Sequence, residues 1–193
     1  MNRQRTVRIL VTVLGALALS VFAANPGCAD ATSTDRQTDP KSWVHVFCTS
    51  FQPVLQQIRD VSRSDVLAAA LGAADAKAKT SATSNQLDAS LERAMQNLAK
   101  AGTPRVKNGS EVARKFRTAL SSLRASLTAF EAELARLTTA DDFAFVTSIR
   151  ALVIRFQLSA QRSLGGLSSR QLKAPTIDAA IKRDKACLAL ARG

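Results

Sequence analysis

Large apolar residues recur at steps of three and four along most of this chain, which is the spacing of one face of an α-helix. The clearest run begins at Val112 and ends at Leu137, and its members are Val112, Phe116, Leu120, Leu123, Leu127, Phe130, Leu134 and Leu137. A strand would instead alternate with a period of two residues. The run predicts a helix of about 26 residues and about 39 Å, starting near Ser110.

A second stripe follows Asp39-Pro40, a pair that suits the N-cap and first position of a helix. Its apolar members are Trp43, Phe47, Phe51, Val54, Ile58 and Val61. Pro53 lies inside the stripe, and a proline inside a helix removes one backbone donor and crowds the preceding turn. This pattern predicts a helix from residue 40 to about residue 61, either kinked or split near Pro53.

Residues 62–85 carry few large side chains and predict a short helix or a loop leading into another long helix. That helix has a clear stripe only from residue 87 onward, at Leu87, Leu91, Met95 and Leu98. Gly102, Pro104 and Gly109 then interrupt the chain.

The fourth long helix is predicted to begin after Asp141-Asp142, which we interpret as capping residues. Its stripe consists of Phe145, Ile149, Leu152, Phe156 and Leu164, and one short helix follows from residue 176 to about residue 190. Amphipathic helices of similar length joined by short loops pack antiparallel. The predicted fold is therefore all-α, an up-and-down bundle of four long helices with a short C-terminal helix.

The N-terminus has the pattern of a secretory signal peptide. Residues 1–8 contain three arginines and no acid, and residues 9–24 are almost wholly apolar. We predict a signal peptide at residues 1–23, a flexible tether at 24–39 and a helical domain at 40–193, with a second cleavage site after residue 29. Cys28 opens another alternative, a lipoprotein cleaved after residue 27 and lipidated on this cysteine, although Asn25 and Pro26 depart from the usual lipoprotein pattern.

Two cysteines lie inside the predicted helical domain, Cys48 on the first helix and Cys187 on the last. Because exported proteins meet oxidising conditions, a disulfide between them is predicted, with two separate buried thiols as the alternative. The disulfide would staple the first helix to the last.

The chain is strongly basic, with 27 Lys and Arg against 15 Asp and Glu and a formal net charge of +12. Such a charge favours anionic partners, although it also suits a merely solvated surface. Candidate positions for a basic surface lie on the polar side of the third long helix and near the C-terminus: Arg114, Lys115, Arg117, Arg124, Lys182, Arg183 and Lys185. Nucleic acid is not favoured, because the aromatic residues belong to the apolar stripes.

The residues offer no catalytic or metal-binding pattern. His45 is the single histidine, and one histidine without thiolate or acidic partners does not make a usual zinc site. We place His45 at a surface or boundary position. We predict no cofactor, no metal and no enzymatic activity.

The Trp43-x4-Cys48 opening, the AGTPRVKNG linker at residues 101–109 and the late Cys187-x2-Leu190 resemble an uncharacterised group of small exported α-helical proteins of actinobacteria. Some members of that group are predicted lipoproteins. The resemblance implies a cysteine-stapled bundle that is secreted or held at the outer face of the membrane, and it implies no activity. From the sequence we expect a protein that binds a protein or an anionic envelope component, or alternatively a carrier of lipid or another apolar molecule.

Overall fold

The chain folds mainly as helices in the computed structural model, which describes residues 36–165, 167 and 173–192. Within these ranges lie seven helices: α1 (Pro40–Val61), α2 (Ser64–Leu71), α3 (Ala73–Ala101), α4 (Gly109–Arg136), α5 (Asp142–Gly165), α6 (Pro175–Ile181) and α7 (Lys185–Arg192). The mostly helical class predicted from the stripes is confirmed. The predicted signal peptide, both alternative cleavage sites and Cys28 lie outside the described residues.

The first stripe forms α1, which starts as predicted behind Asp39. The Asp39 carboxylate accepts hydrogen bonds from the backbone amides of Lys41 and Ser42. The helix continues through Pro53 and is not split. Phe51 and Val54 are buried on either side of the proline, and we attribute the continuity to their burial, which offsets the cost of about 3 kcal/mol that a proline imposes inside a helix.

Residues 62–85, the segment with few large side chains, are more helical than their sequence indicated. Following α2 and Gly72, α3 begins at Ala73 and runs for 29 residues. Its first half buries small side chains at helical spacing, namely Ala73, Ala76, Thr80 and Ser84. The second long helix therefore starts well before Leu87.

The strongest stripe forms α4. Seven of its eight members are buried and Leu137 is partly buried just beyond the helix. The helix begins at Gly109, one residue before the expected Ser110, and Asn108 in the left-handed conformation precedes it. The α5 stripe is buried from Phe145 to Phe156, and Leu164 is partly buried.

Two short strands were not foreseen. Strand β1 (Gln37–Thr38) pairs in parallel with β2 (Thr103–Pro104), which places Gln37 beside Thr103 and Thr38 beside Pro104. The indole Nε1 of Trp43 donates to the Gly102 carbonyl at 3.1 Å and fastens α1 to the same junction. The last residues of the segment predicted as a flexible tether therefore form part of the fold.

The C-terminal region departs from the single short helix that was predicted. It forms two helices, α6 and α7, because Asp184 interrupts the chain as a new N-cap. The Asp184 carboxylate accepts hydrogen bonds from the backbone amides of Ala186 and Cys187.

The predicted disulfide is present between Cys48 and Cys187, whose Cα atoms lie 5.1 Å apart. It joins α1 to α7, while α6 also packs on α1. Elsewhere α1 packs on α3, α3 on α4, α4 on α5, and α2 contacts both α3 and α5. The core contains an aromatic group in which Phe116 of α4 meets Trp43 and Phe47 edge-on, with ring centroids 5.0 and 4.5 Å apart.

Candidate anion-binding site

Three of the seven basic residues proposed from the sequence are engaged by neighbouring acids. Arg124 makes two hydrogen bonds to the Asp88 carboxylate, at 2.7 and 2.9 Å, and holds α4 against α3. Lys182 pairs with Asp178 at 2.6 Å, and Lys115 pairs with Glu111 at 3.0 Å. Arg124 is therefore better explained as a link between two helices than as part of a free basic surface.

The remaining four basic residues are exposed and lie in different places. Arg114 and Arg117 lie on α4, Arg183 lies between α6 and α7, and Lys185 begins α7. Arg183 borders a pocket of about 310 Å³ whose other charged members, Asp39, Lys41 and Asp184, carry both signs. Opposite charges at short range cancel much of each other's field, so this pocket has no strong preference for an anion.

A pocket between α4 and α5 has a different charge pattern. It measures about 290 Å³, and Arg114 and Lys115 of α4 face Arg162 of α5 across it. Hydroxyl-bearing residues complete the polar part of the lining: Thr118, Ser122 and Ser163. None of the described lining residues is acidic. We call these residues together the α4–α5 pocket.

Glu111 lies beside the α4–α5 pocket, and its ion pair with Lys115 at 3.0 Å compensates part of the positive charge that Arg114, Lys115 and Arg162 bring to it. The hydrogen bond and charge of Lys115 lower the pKa of Glu111, and the charges of Arg114 and Lys173 lower it further. Several cations therefore lie close enough to this carboxylate to act on it. Guanidinium groups and hydroxyls are the usual donors to phosphate and carboxylate oxygens, which makes an oxyanion the natural ligand of such a pocket.

Arg162 was not among the residues proposed from the sequence, although a signal for it existed. Residues 137–141 form the short connection between α4 and α5, so the two helices run antiparallel, and residues equally far from the middle of the connection lie at similar heights. Arg114 lies 25 residues before residue 139, and Arg162 lies 23 residues after it. The pairing of Arg114 with Arg162 follows from the antiparallel arrangement and could not be found from the charges of one helix alone.

The group around the disulfide is structural. His45 is exposed, as expected, and its Nδ1 lies 2.9 Å from the Asp184 carboxylate. Burial raises the pKa of Asp184, but hydrogen bonds from the Cys187 amide and from His45 outweigh it, so the pKa is lowered overall. These contacts hold the start of α7 against α1 beside the disulfide.

The same group includes the nearest approach to a metal site among the described residues. Ligand atoms of Cys48, Asp184 and Cys187 all lie within 4.8 Å of one another. Metal ions bind cysteine as the thiolate, and both sulfurs here are joined in the disulfide. This group therefore cannot serve as a metal site while the disulfide is intact.

No family model, no curated protein and no solved structure matches this chain. The resemblance to exported actinobacterial proteins stays a prediction. In the part of the chain that the structure describes, the α4–α5 pocket brings basic side chains from two helices together around a cavity with no acid in its lining.

Proposed function

We propose that this protein is exported and acts by binding an anionic component of the cell envelope. The charge and arginine content of residues 1–8, with the apolar residues that follow, support export through a signal peptide. A disulfide is typical of proteins that work in oxidising compartments, which agrees with a location outside the cytoplasm. Whether the product is freely secreted or lipidated on Cys28 stays open within this proposal.

We further infer that the four long helices form an up-and-down bundle. The short connection between α4 and α5 and the packing of α1 on α3, α3 on α4 and α4 on α5 support this arrangement. The bundle would act as a scaffold that presents side chains from neighbouring helices to a ligand, without catalysis or a cofactor.

The α4–α5 pocket is the observation that carries the proposal. Three cationic side chains and three hydroxyl-bearing side chains line one cavity of about 290 Å³, with no acid among its described lining residues. A cavity of this size accommodates one phosphate or carboxylate group with a short part of the molecule that bears it. We therefore expect the ligand to be a polymer or headgroup whose repeating anionic groups reach Arg114 and Arg162 together.

The test compares two charge-matched double variants of the full chain with its disulfide intact. Arg114→Gln with Arg162→Gln removes two cations from the pocket. Arg93→Gln with Arg105→Gln removes two exposed cations that do not line it. Affinity for polyphosphate and for a polycarboxylate is measured by isothermal titration calorimetry over a range of salt concentrations, with neutral dextran as the control polymer.

We expect the pocket variant to bind at least one of the anionic polymers about tenfold more weakly, because each arginine in a phosphate contact contributes about 1 kcal/mol or somewhat less. The control variant should lose less than about threefold. Equal losses in both variants would contradict the proposal, because they would show that only the overall charge matters. The proposal would also be refuted if the unaltered chain bound neither polymer.

A further inference from the structure

Helix α5 carries two apolar faces, and only one of them is buried. The buried face contains Phe145, Ile149, Leu152, Phe156 and Ala160. A second row, apolar except for Thr147, lies on the opposite side at steps of four, four, three and four, and every member of it is exposed: Phe143, Thr147, Ala151, Ile154 and Leu158. We call this row the outer stripe. Helices at the surface of a globular protein usually present polar residues on this side.

The large members of the outer stripe are substantially exposed to solvent. Phe143 is 82% exposed, Ile154 is 50% exposed and Leu158 is 48% exposed. From Phe143 to Leu158 the stripe extends about 22 Å along the helix. Judged by length and composition alone, α5 is long and apolar enough to cross a membrane. Of its most apolar stretch of 18 residues, 33% is buried within the protein. Its burial in the core on one side excludes a helix that is surrounded by lipid.

Apart from Asp142 at its first position, α5 carries only positive charges beside the outer stripe. Residues 143–165 contain Arg150, Arg155 and Arg162 and no acid. Arg150 pairs with Asp65 of α2 and Arg155 pairs with Glu133 of α4, but 63% and 59% of these two arginine side chains stay exposed. The stripe is thus an apolar row with accessible guanidinium groups on its flanks.

We propose that the outer stripe docks on the surface of an anionic phospholipid membrane. Phe143, Ile154 and Leu158 would enter the boundary between headgroups and acyl chains, and the flanking arginines would meet lipid phosphates. Arginine suits this position because its stem lies along apolar surface while its guanidinium reaches the headgroups. This surface adjoins the α4–α5 pocket and shares Arg162 with it, but Phe143, Ile154 and Leu158 do not line that pocket.

Two other occupants fit the observations less well. A second copy of the chain, paired through the same stripe, would bring two rows of arginines together, and like charges at this range repel. A protein partner would need a groove that matches a single convex row of side chains. The interfacial region of a bilayer is fluid and accommodates such a row without a matching shape.

The direct test places a fluorescent reporter in the stripe. Trp43 is the single tryptophan and is buried, so the emission that Leu158→Trp adds to that of the unaltered chain reports on the stripe. Leu188→Trp is the matched control, since Leu188 is a partly exposed leucine on α7. Each full-length variant is mixed with vesicles of brominated phosphatidylcholine containing about one-third phosphatidylglycerol. Any contribution of the N-terminal residues is common to both variants.

We expect the tryptophan introduced by Leu158→Trp to shift to the blue and to be quenched by the brominated lipid, while that of Leu188→Trp changes little. Equal quenching of both would overturn the proposal. So would an emission from the added tryptophan, after the spectrum of the unaltered chain is subtracted, that is already blue-shifted before vesicles are added, because the stripe would then be covered by the chain itself.

A second measurement removes the apolar side chains. Ile154→Gln with Leu158→Gln should weaken sedimentation with the same anionic vesicles by about tenfold or more, and Leu188→Gln should weaken it by less than about threefold. Pure phosphatidylcholine vesicles should bind the unaltered chain more weakly. Unchanged vesicle binding in the double variant would overturn the proposal, as would self-association of the unaltered chain that this variant abolishes. Because Leu158→Trp keeps the stripe apolar, the quenching result stands even if the glutamine variant folds poorly.

Discussion

Two glycines at the junction of the strands with α3 and α4 have no room for a side chain. Gly102 has a positive φ of 70°, and a Cβ there would collide with the backbone carbonyl oxygen of Arg36. A Cβ at Gly109 would collide with the carbonyl oxygen of Pro104. These close approaches allow β1 to pair with β2 and allow α4 to start immediately after the linker.

We expect Gly109→Ala to lower the free energy of unfolding by about 1 to 3 kcal/mol, because backbone atoms must move to relieve the overlap. Gly102→Ala should cost at least as much, since alanine is also strained at a positive φ. Urea unfolding followed by circular dichroism measures both effects. Gly165→Ala is the control, because a Cβ added at this last residue of α5 would have no neighbour within 4 Å. A control as destabilised as Gly109→Ala would contradict this explanation.

Asp184 should make stability depend on pH in the acid range. Its pKa in the folded protein is lowered, despite the opposing effect of burial, by the Cys187 amide and by His45. The resulting stabilisation is fully present above the unfolded-state pKa of about 3.9 and is lost as the pH falls through the lower, folded-state pKa.

Asp184→Asn keeps an oxygen that can accept the capping hydrogen bonds but removes the charge. We therefore expect the difference in melting temperature between this variant and the unaltered chain to shrink as the pH falls below about 4. Melting curves recorded from pH 7 down to about pH 2 test it. A difference in melting temperature that grows on acidification would contradict this prediction.

At the level of helices, one aspartate was assigned correctly and its neighbour was not. Asp141 caps α5 as predicted, accepting a hydrogen bond from the Ala144 amide at 2.9 Å. Asp142, however, accepts a hydrogen bond at 2.8 Å from the amide of Ala73, the first residue of α3. Lys77 of α3 donates in turn to the carbonyls of Ala135 and Leu137 at the end of α4. Two helix ends, the start of α3 and the end of α4, are thus satisfied by side chains from other helices.

We expect Asp142→Ala to cost about 1 kcal/mol of stability, the usual value of an N-cap, and to increase amide exchange at the start of α3. Asp142→Asn keeps an acceptor and should recover most of the loss. Hydrogen exchange measured by mass spectrometry locates the effect. If exchange rises at the start of α5 and stays unchanged in α3, then Asp142 does not cap α3.

The helices with large side chains could be predicted, and the one with small side chains could not. The stripes of α1, α4 and α5 carry phenylalanine, leucine and isoleucine, whose periodicity is visible in the sequence. The first half of α3 buries alanine, threonine and serine, which give almost no hydrophobic contrast. The break before α7 was hidden for a similar reason, since Asp184 lies in a run of charged residues that resembles a solvated helix face.

For the molecule as a whole, the candidate site depended on knowing which helices are neighbours. Arg114 and Lys115 were identified from charge alone, but Arg162 joins them only because α5 returns beside α4. Likewise the sequence could not show that Arg124 is occupied by Asp88, since residues 88 and 124 lie on different helices. Contacts between distant residues were therefore predicted well only for the disulfide, where the chemistry of two cysteines restricts the choice.

Export of a helical domain closed by Cys48–Cys187 is the claim on which the proposed function depends. The two cysteines are 139 residues apart, and closing a loop of that length removes up to about 5 kcal/mol of unfolded-state entropy on the chain-entropy model. Allowing for the smaller stabilisation that disulfides typically provide, reduction should lower the melting temperature by about 5 to 15 °C.

The most direct measurement is peptide mapping by mass spectrometry of protein collected from the culture medium or the cell surface, alkylated without reduction. We predict one peptide pair linked through Cys48 and Cys187, and its disappearance after reduction. Recovery of both cysteines as alkylated free thiols from that material, or recovery of the protein only from the cytoplasm, would contradict the claim.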